Sequence, residues 1–178
     1  MQTRITLVAC FDDSSVKLIE ENLKLLDNYE LCKVPLHNSN REENDTLPYH
    51  ITLSAWDIDK EDFIINKMEN LEFNVINADF KFAQDRDLLY LKPKNEKLIR
   101  KLQSQAYNLL PTEKFDPKKY MLHSTMNINS DYNQIKQQSN ILKDIDLNLN
   151  ITEIRLYEIY PAKLVKSISG GYMNIIES

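Results

Sequence analysis

YHITL, residues 49–53, and LHSTM, residues 122–126, share one frame: an apolar or aromatic residue, His, any residue, Thr, then an apolar residue. The chain has only three histidines, and two of them sit in these frames. In a strand, residues i and i+2 project from one face and i+1 and i+3 from the other. His50 and Thr52 therefore belong on one face, opposite Ile51 and Leu53. In the same way His123 and Thr125 lie opposite Ser124 and Met126. Each strand would bury an apolar side and present an imidazole beside a hydroxyl. With ordinary Ser and Thr content, two specified histidines both followed by such a residue at i+2 is roughly a one-in-a-hundred coincidence. A lone His-x-Thr reads as a half-buried strand histidine bonded to its neighbour; the matched pair asks for more.

Working outward from the two frames, the elements fall into a repeated order. Residues 4–11 (RITLVACF) read as a strand. Asp12 and Asp13 offer N-caps for a helix from about Ser14 to Leu26, with Val16, Ile19, Leu23 and Leu26 on one face. A short strand near Leu31 to Val34 precedes a polar loop, Pro35 to Pro48, that delivers the chain to His50. His50 to Ala55 reads as a strand, with Trp56 continuing it on the His50 side by parity and packing between the lobes, and Asp59 as the cap of a helix over Asp62 to Asn70. Strands over Phe73–Phe82 and Leu88–Lys92 follow, joined by the turn 84–87. Asn95 to Leu110 is the clearest helix, with Leu98, Leu102, Ala106 and Leu109 at helical spacing and Pro111 as its stop. The loop Thr112–Lys119 leads to a strand over Leu122–Ile128 and a helix capped by Ser130 or Asp131 that runs to about Lys143. Leu147–Tyr160 alternates as a long strand, and Lys163–Ser169 reads as its hairpin partner. Each half thus runs strand, helix, loop, His-x-Thr strand, helix, strand. The expectation is an α+β fold of two similar lobes, each with an antiparallel sheet and helices, related by a pseudo-two-fold around a central cleft. At 178 residues one domain spanning 1–178 is expected.

Composition removes several classes. The two glycines are adjacent, Gly170 and Gly171, so no glycine-rich phosphate loop can be written. Cys10 and Cys32 lie in apolar contexts and read as buried thiols, too few for a disulfide scaffold. No signal-peptide core or membrane-length apolar run is found, and a cytoplasmic, monomeric protein is expected. A net charge of −5 argues against a protein that coats long nucleic acid. A local cluster, Lys92, Lys94, Lys97, Arg100, Lys101, Lys114, Lys118 and Lys119, would favour a small anion if it bordered a cleft, or else forms a solvated face. No HxH, HExxH or Cys/His cluster suggests a metal site, and no cofactor is implied.

Two imidazoles suit paired proton transfer, one neutral and one protonated near pH 6.5. Hydroxyls one pleat away suit the non-bridging oxygens of a phosphoryl group. On these residues the chain resembles the two-histidine (2H) phosphoesterases, the 2',5'-RNA ligase and cyclic phosphodiesterase-like proteins, and the resemblance covers essentially the whole chain. It implies a bilobal fold and metal-independent cleavage, or in reverse ligation, of cyclic phosphate or 2',5'-type phosphodiester bonds on a nucleotide or RNA end. It makes His50 and His123 the acid–base pair and Thr52 and Thr125 the phosphate ligands. Where many members have Pro directly before the His, this chain has Tyr49 and Leu122. Tyr49 and Tyr120 are candidates for stacking on a base or for packing at the rim, and Arg41 for a phosphate contact or a solvated loop. His37 reads as a loop histidine, and Tyr172 as a residue that could close over the cleft. The alternative function is a non-catalytic module that binds a nucleotide or RNA end on the same scaffold.

Overall fold

Strand pairing carries the architecture. The computed structural model describes residues 4–26, 47–159 and 162–177, the last six as backbone only. The short strand expected near Leu31–Val34, most of the 35–48 loop with His37 and Arg41, and the side chain of Tyr172 lie outside the described residues. In order the elements are β1 (Arg4–Phe11), α1 (Asp13–Leu23), β2 (His50–Asp57), a 3-10 turn (Ile58–Lys60), α2 (Glu61–Met68), β3 (Asn74–Asp85), β4 (Leu88–Pro93), α3 (Lys97–Tyr107), β5 (Ser124–Ile128), α4 (Tyr132–Leu142), β6 (Asp146–Ile159), β7 (Lys163–Ser169) and β8 (Gly171–Glu177). The strands form one sheet in the order β2-β1-β6-β3-β4-β5, with β7 added to β6 and β8 to β3.

The expected α+β class with antiparallel pairing is what is found, with one departure: β8, which no sequence pattern announced, runs parallel to β3. The two halves share a sheet because β6 is long enough to serve both. Its residues 146–151 pair with β3, and its later residues pair with β1 on one side and β7 on the other. β3 and β4 are joined by a two-residue turn in which Arg86 takes a φ of 49°, the left-handed backbone that tight hairpin turns require.

Local chemistry sets the helix starts. Asp12 accepts from the Ser15 amide at 2.8 Å and Asp131 from the amides of Asn133 and Gln134, caps worth about 1 kcal/mol each. Asp59 does not cap α2 as the sequence suggested. It falls inside the 3-10 turn, where it pairs with Lys60 at 2.7 Å, and Lys60 itself stands at the helix start without a side-chain cap. Buried residues of the helices, including Ile19, Leu23, Ile64, Met68, Ile99, Leu102, Ala106, Ile135 and Leu142, pack with Ile5, Leu7, Ile51, Leu53, Phe80 and Leu89 in one core on one face of the sheet. Phe11 meets Phe80 edge-on there, with ring centres 5.4 Å apart. The opposite face of β1 and β6 carries a separate small cluster, Val8, Cys10, Tyr157 and Ile159.

Candidate active site

The two motif strands are the two ends of the sheet path, β2 and β5, and they touch each other. His50 opens β2; His123 stands one residue before β5, slightly outside the strand expected to contain it. Cross-strand partners share a face, so the register places the side chains. Cys10 faces His50 and Val8 faces Thr52, which puts both motif residues on the sheet face opposite the helices. In the second motif Tyr90 faces Thr125.

A bulge follows the threonine in each motif. In β2 the pairing with β1 skips Leu53, and in β5 the pairing with β4 skips Met126. The burial sequences match position for position: Ile51-Thr52-Leu53-Ser54-Ala55 and Ser124-Thr125-Met126-Asn127-Ile128 each run buried, half-buried, buried, buried, half-buried. Two successive inward residues are what an extra residue in the ladder produces. The bulge corrects one expectation. Parity counted from His50 puts Trp56 on the histidine face, but beyond Leu53 the count is shifted by one. Trp56 pairs with Ile5 and lies in the main core, its indole N–H donating to the Leu110 carbonyl at 2.6 Å.

The imidazoles are anchored alike. Nδ1 of His50 lies 2.7 Å from the Pro48 carbonyl, and Nδ1 of His123 lies 2.7 Å from the Met121 carbonyl, each two residues back. A carbonyl can only accept, so Nδ1 carries a proton in both rings and proton exchange falls to Nε2. The pKa of His50 is held below its ordinary value by burial, against the pull of the Pro48 carbonyl, and is lowered further by the charge of His123.

Tyr120 stands three residues before His123. Its ring is tilted against His123 with centres 5.6 Å apart, and Phe115 packs on it at 5.0 Å. Burial pushes the Tyr120 phenol up, and a hydrogen bond with Thr52 pulls it back. Tyr90 approaches His123 edge-on at 5.9 Å and is buried, a neighbour that nothing in the sequence singled out. Tyr49 is half-buried and packs against the main core.

Four of the eight residues of the basic cluster are paired with acids. Lys94 pairs with Asp146, Arg100 with Glu96, Lys114 with Asp57 and Lys119 with Asp116. Arg100 has a structural task that sequence reasoning missed. From α3, its Nη1 donates to the carbonyls of Pro117 and Tyr120, both at 2.8 Å, and to Gln103 Oε1 at 3.0 Å, gripping the loop that leads into His123. Among the described residues no three His, Cys, Asp or Glu side chains are grouped to hold a metal ion, and no helix is long and apolar enough to cross a membrane.

No family model and no curated protein matches the sequence. Solved structures do match the fold. E. coli LigT complexed with NADP+ superposes with a TM-score of 0.61 at 12% identity, over 96% of this chain and 99% of that one. LigT complexed with 3'-AMP gives 0.57 at 10% identity, over 96% and 99%. A protein described as a phosphoesterase gives 0.57 at 13%, again over 96% and 99%. From end to end, this chain has the fold of E. coli LigT.

Proposed function

We propose that the chain is a 2H-type phosphoesterase that opens cyclic phosphates or cleaves 2',5'-type phosphodiesters on a small nucleotide or RNA end. The observation that carries this reading is the identical mounting of the two histidines. Each donates Nδ1–H to the carbonyl two residues back, each is followed two residues on by a threonine, and each threonine is followed by a bulge. A histidine held in core packing by chance has no reason to reproduce all three features twice. The structures with the same fold hold NADP+, ATP and 3'-AMP, which fits a nucleotide-sized substrate.

On a 2',3'-cyclic phosphate the step balances as follows. His50, kept neutral by burial, takes a proton from the attacking water at Nε2. The water oxygen bonds to phosphorus as one ribose P–O bond breaks, and His123 Nε2 gives its proton to the departing ribose oxygen. Thr52 and Thr125 donate to the non-bridging oxygens as charge builds on them. In the reverse direction the same groups join ends.

The test is release of 2'- or 3'-nucleotide from 2',3'-cyclic nucleotides in EDTA, with His50→Ala and His123→Ala beside the parent. Each replacement should lower kcat by about 10² to 10⁴, the usual scale of general acid–base help. Tight binding without turnover by the parent protein would favour the binding-module reading. Full activity of either variant would remove that histidine from the mechanism.

A further inference from the structure

We infer that Lys81 and Lys92 form a subsite for a second phosphate, the 5'-phosphate of the nucleotide whose 2',3'-cyclic phosphate is opened, an inference that rests on the function proposed above. Lys81 belongs to β3 and Lys92 to β4, and the register sets them directly opposite each other. Phe80, Phe82, Leu89 and Leu91 lie in the main core beneath the helices. By alternation Lys81, Tyr90 and Lys92 project from the other face. Tyr90 pairs with Thr125 and Leu91 with Ser124, so the register continued by one step sets Lys92 across from His123. The edge-on approach of Tyr90 to His123, at 5.9 Å, agrees with that step, because diagonal neighbours on one sheet face come within reach of aromatic rings.

Like charges directly opposite on a sheet, with Cβ atoms about 5 Å apart, repel each other. A carboxylate would relieve the repulsion, yet the acids nearby are committed elsewhere. Asp146 is the partner of Lys81 on β6, but its carboxylate takes the Lys94 ammonium at 2.7 Å. Asp79, two residues before Lys81 on the same face, accepts from the Asn148 side-chain amide at 2.9 Å. Among the described residues neither the Lys81 nor the Lys92 ammonium is paired with a carboxylate. Both side chains are half-buried, so their charges are screened less than those of fully exposed lysines.

An anion shared by the two ammonium groups answers the repulsion, and its place identifies it. Strands lie about 4.8 Å apart, so Lys92 stands one strand from His123 and Lys81 stands two, about 10 Å. In the proposed reaction the threonines take the phosphate being cut. The lysine pair extends beyond it toward β3, in reach of the next phosphate along the substrate. In a nucleotide or RNA end that finishes in a 2',3'-cyclic phosphate, that group is the 5'-phosphate, free or as a diester. Each ammonium brings three donors on a flexible stem, which suits phosphate oxygens arriving at varied angles.

The experiment has a binding arm and a kinetic arm. By calorimetry, adenosine 3',5'-bisphosphate should bind the parent at least about tenfold more tightly than 3'-AMP, the scale of one hydrogen bond to a charged group. Lys81→Gln and Lys92→Gln should each cut that advantage about 3- to 10-fold. Lys92→Arg should keep most of it, and Lys101→Gln, an exposed change on α3, should leave it whole. In kinetics, 2',3'-cyclic AMP is compared with its 5'-phosphorylated form and with the dinucleotide ApA ending in a 2',3'-cyclic phosphate. At least one of the two should show a lower KM, lost in the same two variants. A gain for the first alone assigns the subsite to free nucleotides, and a gain that includes the second assigns it to RNA ends. Equal affinity for the bisphosphate and 3'-AMP would overturn the proposal, as would an advantage that survives both Lys→Gln changes. If the parent opens no cyclic phosphate, the proposed function fails and the binding arm still decides the subsite. Should Lys92→Gln not fold, Lys81→Gln carries the same reading.

Discussion

Trp56 offers the sharpest test of the bulge in β2, because the bulge alone decides which face it occupies. It is the only tryptophan in the chain, 3% exposed, and bonded through its indole N–H to the Leu110 carbonyl at 2.6 Å. Trp56→Phe removes that hydrogen bond, worth about 1 kcal/mol. It also leaves a space of roughly 40 Å³, which at about 24 cal/mol per Å³ adds about 1 kcal/mol. The expected loss is therefore about 2 kcal/mol, or a Tm lower by roughly 4–8 °C for a chain of this size. Urea titration followed by far-UV circular dichroism measures it, since the variant lacks the natural fluorophore. The parent supplies an independent reading: its emission should be blue-shifted, insensitive to iodide, and unchanged by 2',3'-cyclic AMP. A cost under about 0.5 kcal/mol, within the range of an ordinary surface change, together with iodide quenching, would put Trp56 on the His50 face and refute the bulge.

Three further outcomes follow from the same structure. Thr52→Val and Thr125→Val should each lower kcat about 10- to 100-fold, the scale of one hydrogen bond to a charged oxygen, in the cyclic-nucleotide assay; losses beyond those of the histidine variants would mean the threonines do more than bind phosphate. Because His50 has a lowered pKa in the fold, the unfolded chain takes up its proton first as pH drops below about 6.5. Its contribution to stability is complete above that pH and is lost progressively down through the folded-state value, so urea unfolding of His50→Gln should show a shallower decline than the parent between about pH 6.5 and 5. Cys10 is 1% exposed and its thiol is pushed up to about 12 by burial, so peptide mapping should find it unalkylated by iodoacetamide at pH 8 until denaturant is added; prompt labelling of the native protein would contradict its place beside Val8 and Tyr157.

The sequence made most of the scaffold legible because most of it is written in short-range signals. β1, β4, β6, α3 and α4 sit within a few residues of their expected ends, since alternation, helical spacing and the Asp12 and Asp131 caps are local. What escaped depends on distant partners. β8 exists by pairing with Asn74, Ile76 and Asn77, about a hundred residues upstream, and its own residues give no alternation strong enough to announce it. Arg100 looked like one member of a basic run because its acceptors are backbone carbonyls 17 and 20 residues away, which carry no signature in the sequence. The same holds for Tyr90, whose approach to His123 follows from the β4–β5 register.

The facing of His50 and Thr52 was legible for a more specific reason. Parity holds along a strand only until the ladder slips, and in both motifs the slip comes immediately after the threonine. His50 and Thr52 lie wholly on the near side, opposite Cys10 and Val8 of one face, as the count expects; Trp56 lies across the slip, and the count failed there. Nothing in Leu53-Ser54 or Met126-Asn127 marks a bulge, as a glycine might have done. A bulge bends its strand and increases the local twist, which is the kind of adjustment needed to turn two edge strands toward each other. Removing one bulge by deleting Ser54 would leave Leu53 opposite Leu7 and every other β1–β2 partner unchanged. If the bulge serves to aim the motif, that deletion should keep the fold by circular dichroism and lower kcat on cyclic nucleotides at least about tenfold, a cost within the range expected from a misplacement of about 1 Å. Retained activity would make the paired bulges a packing detail.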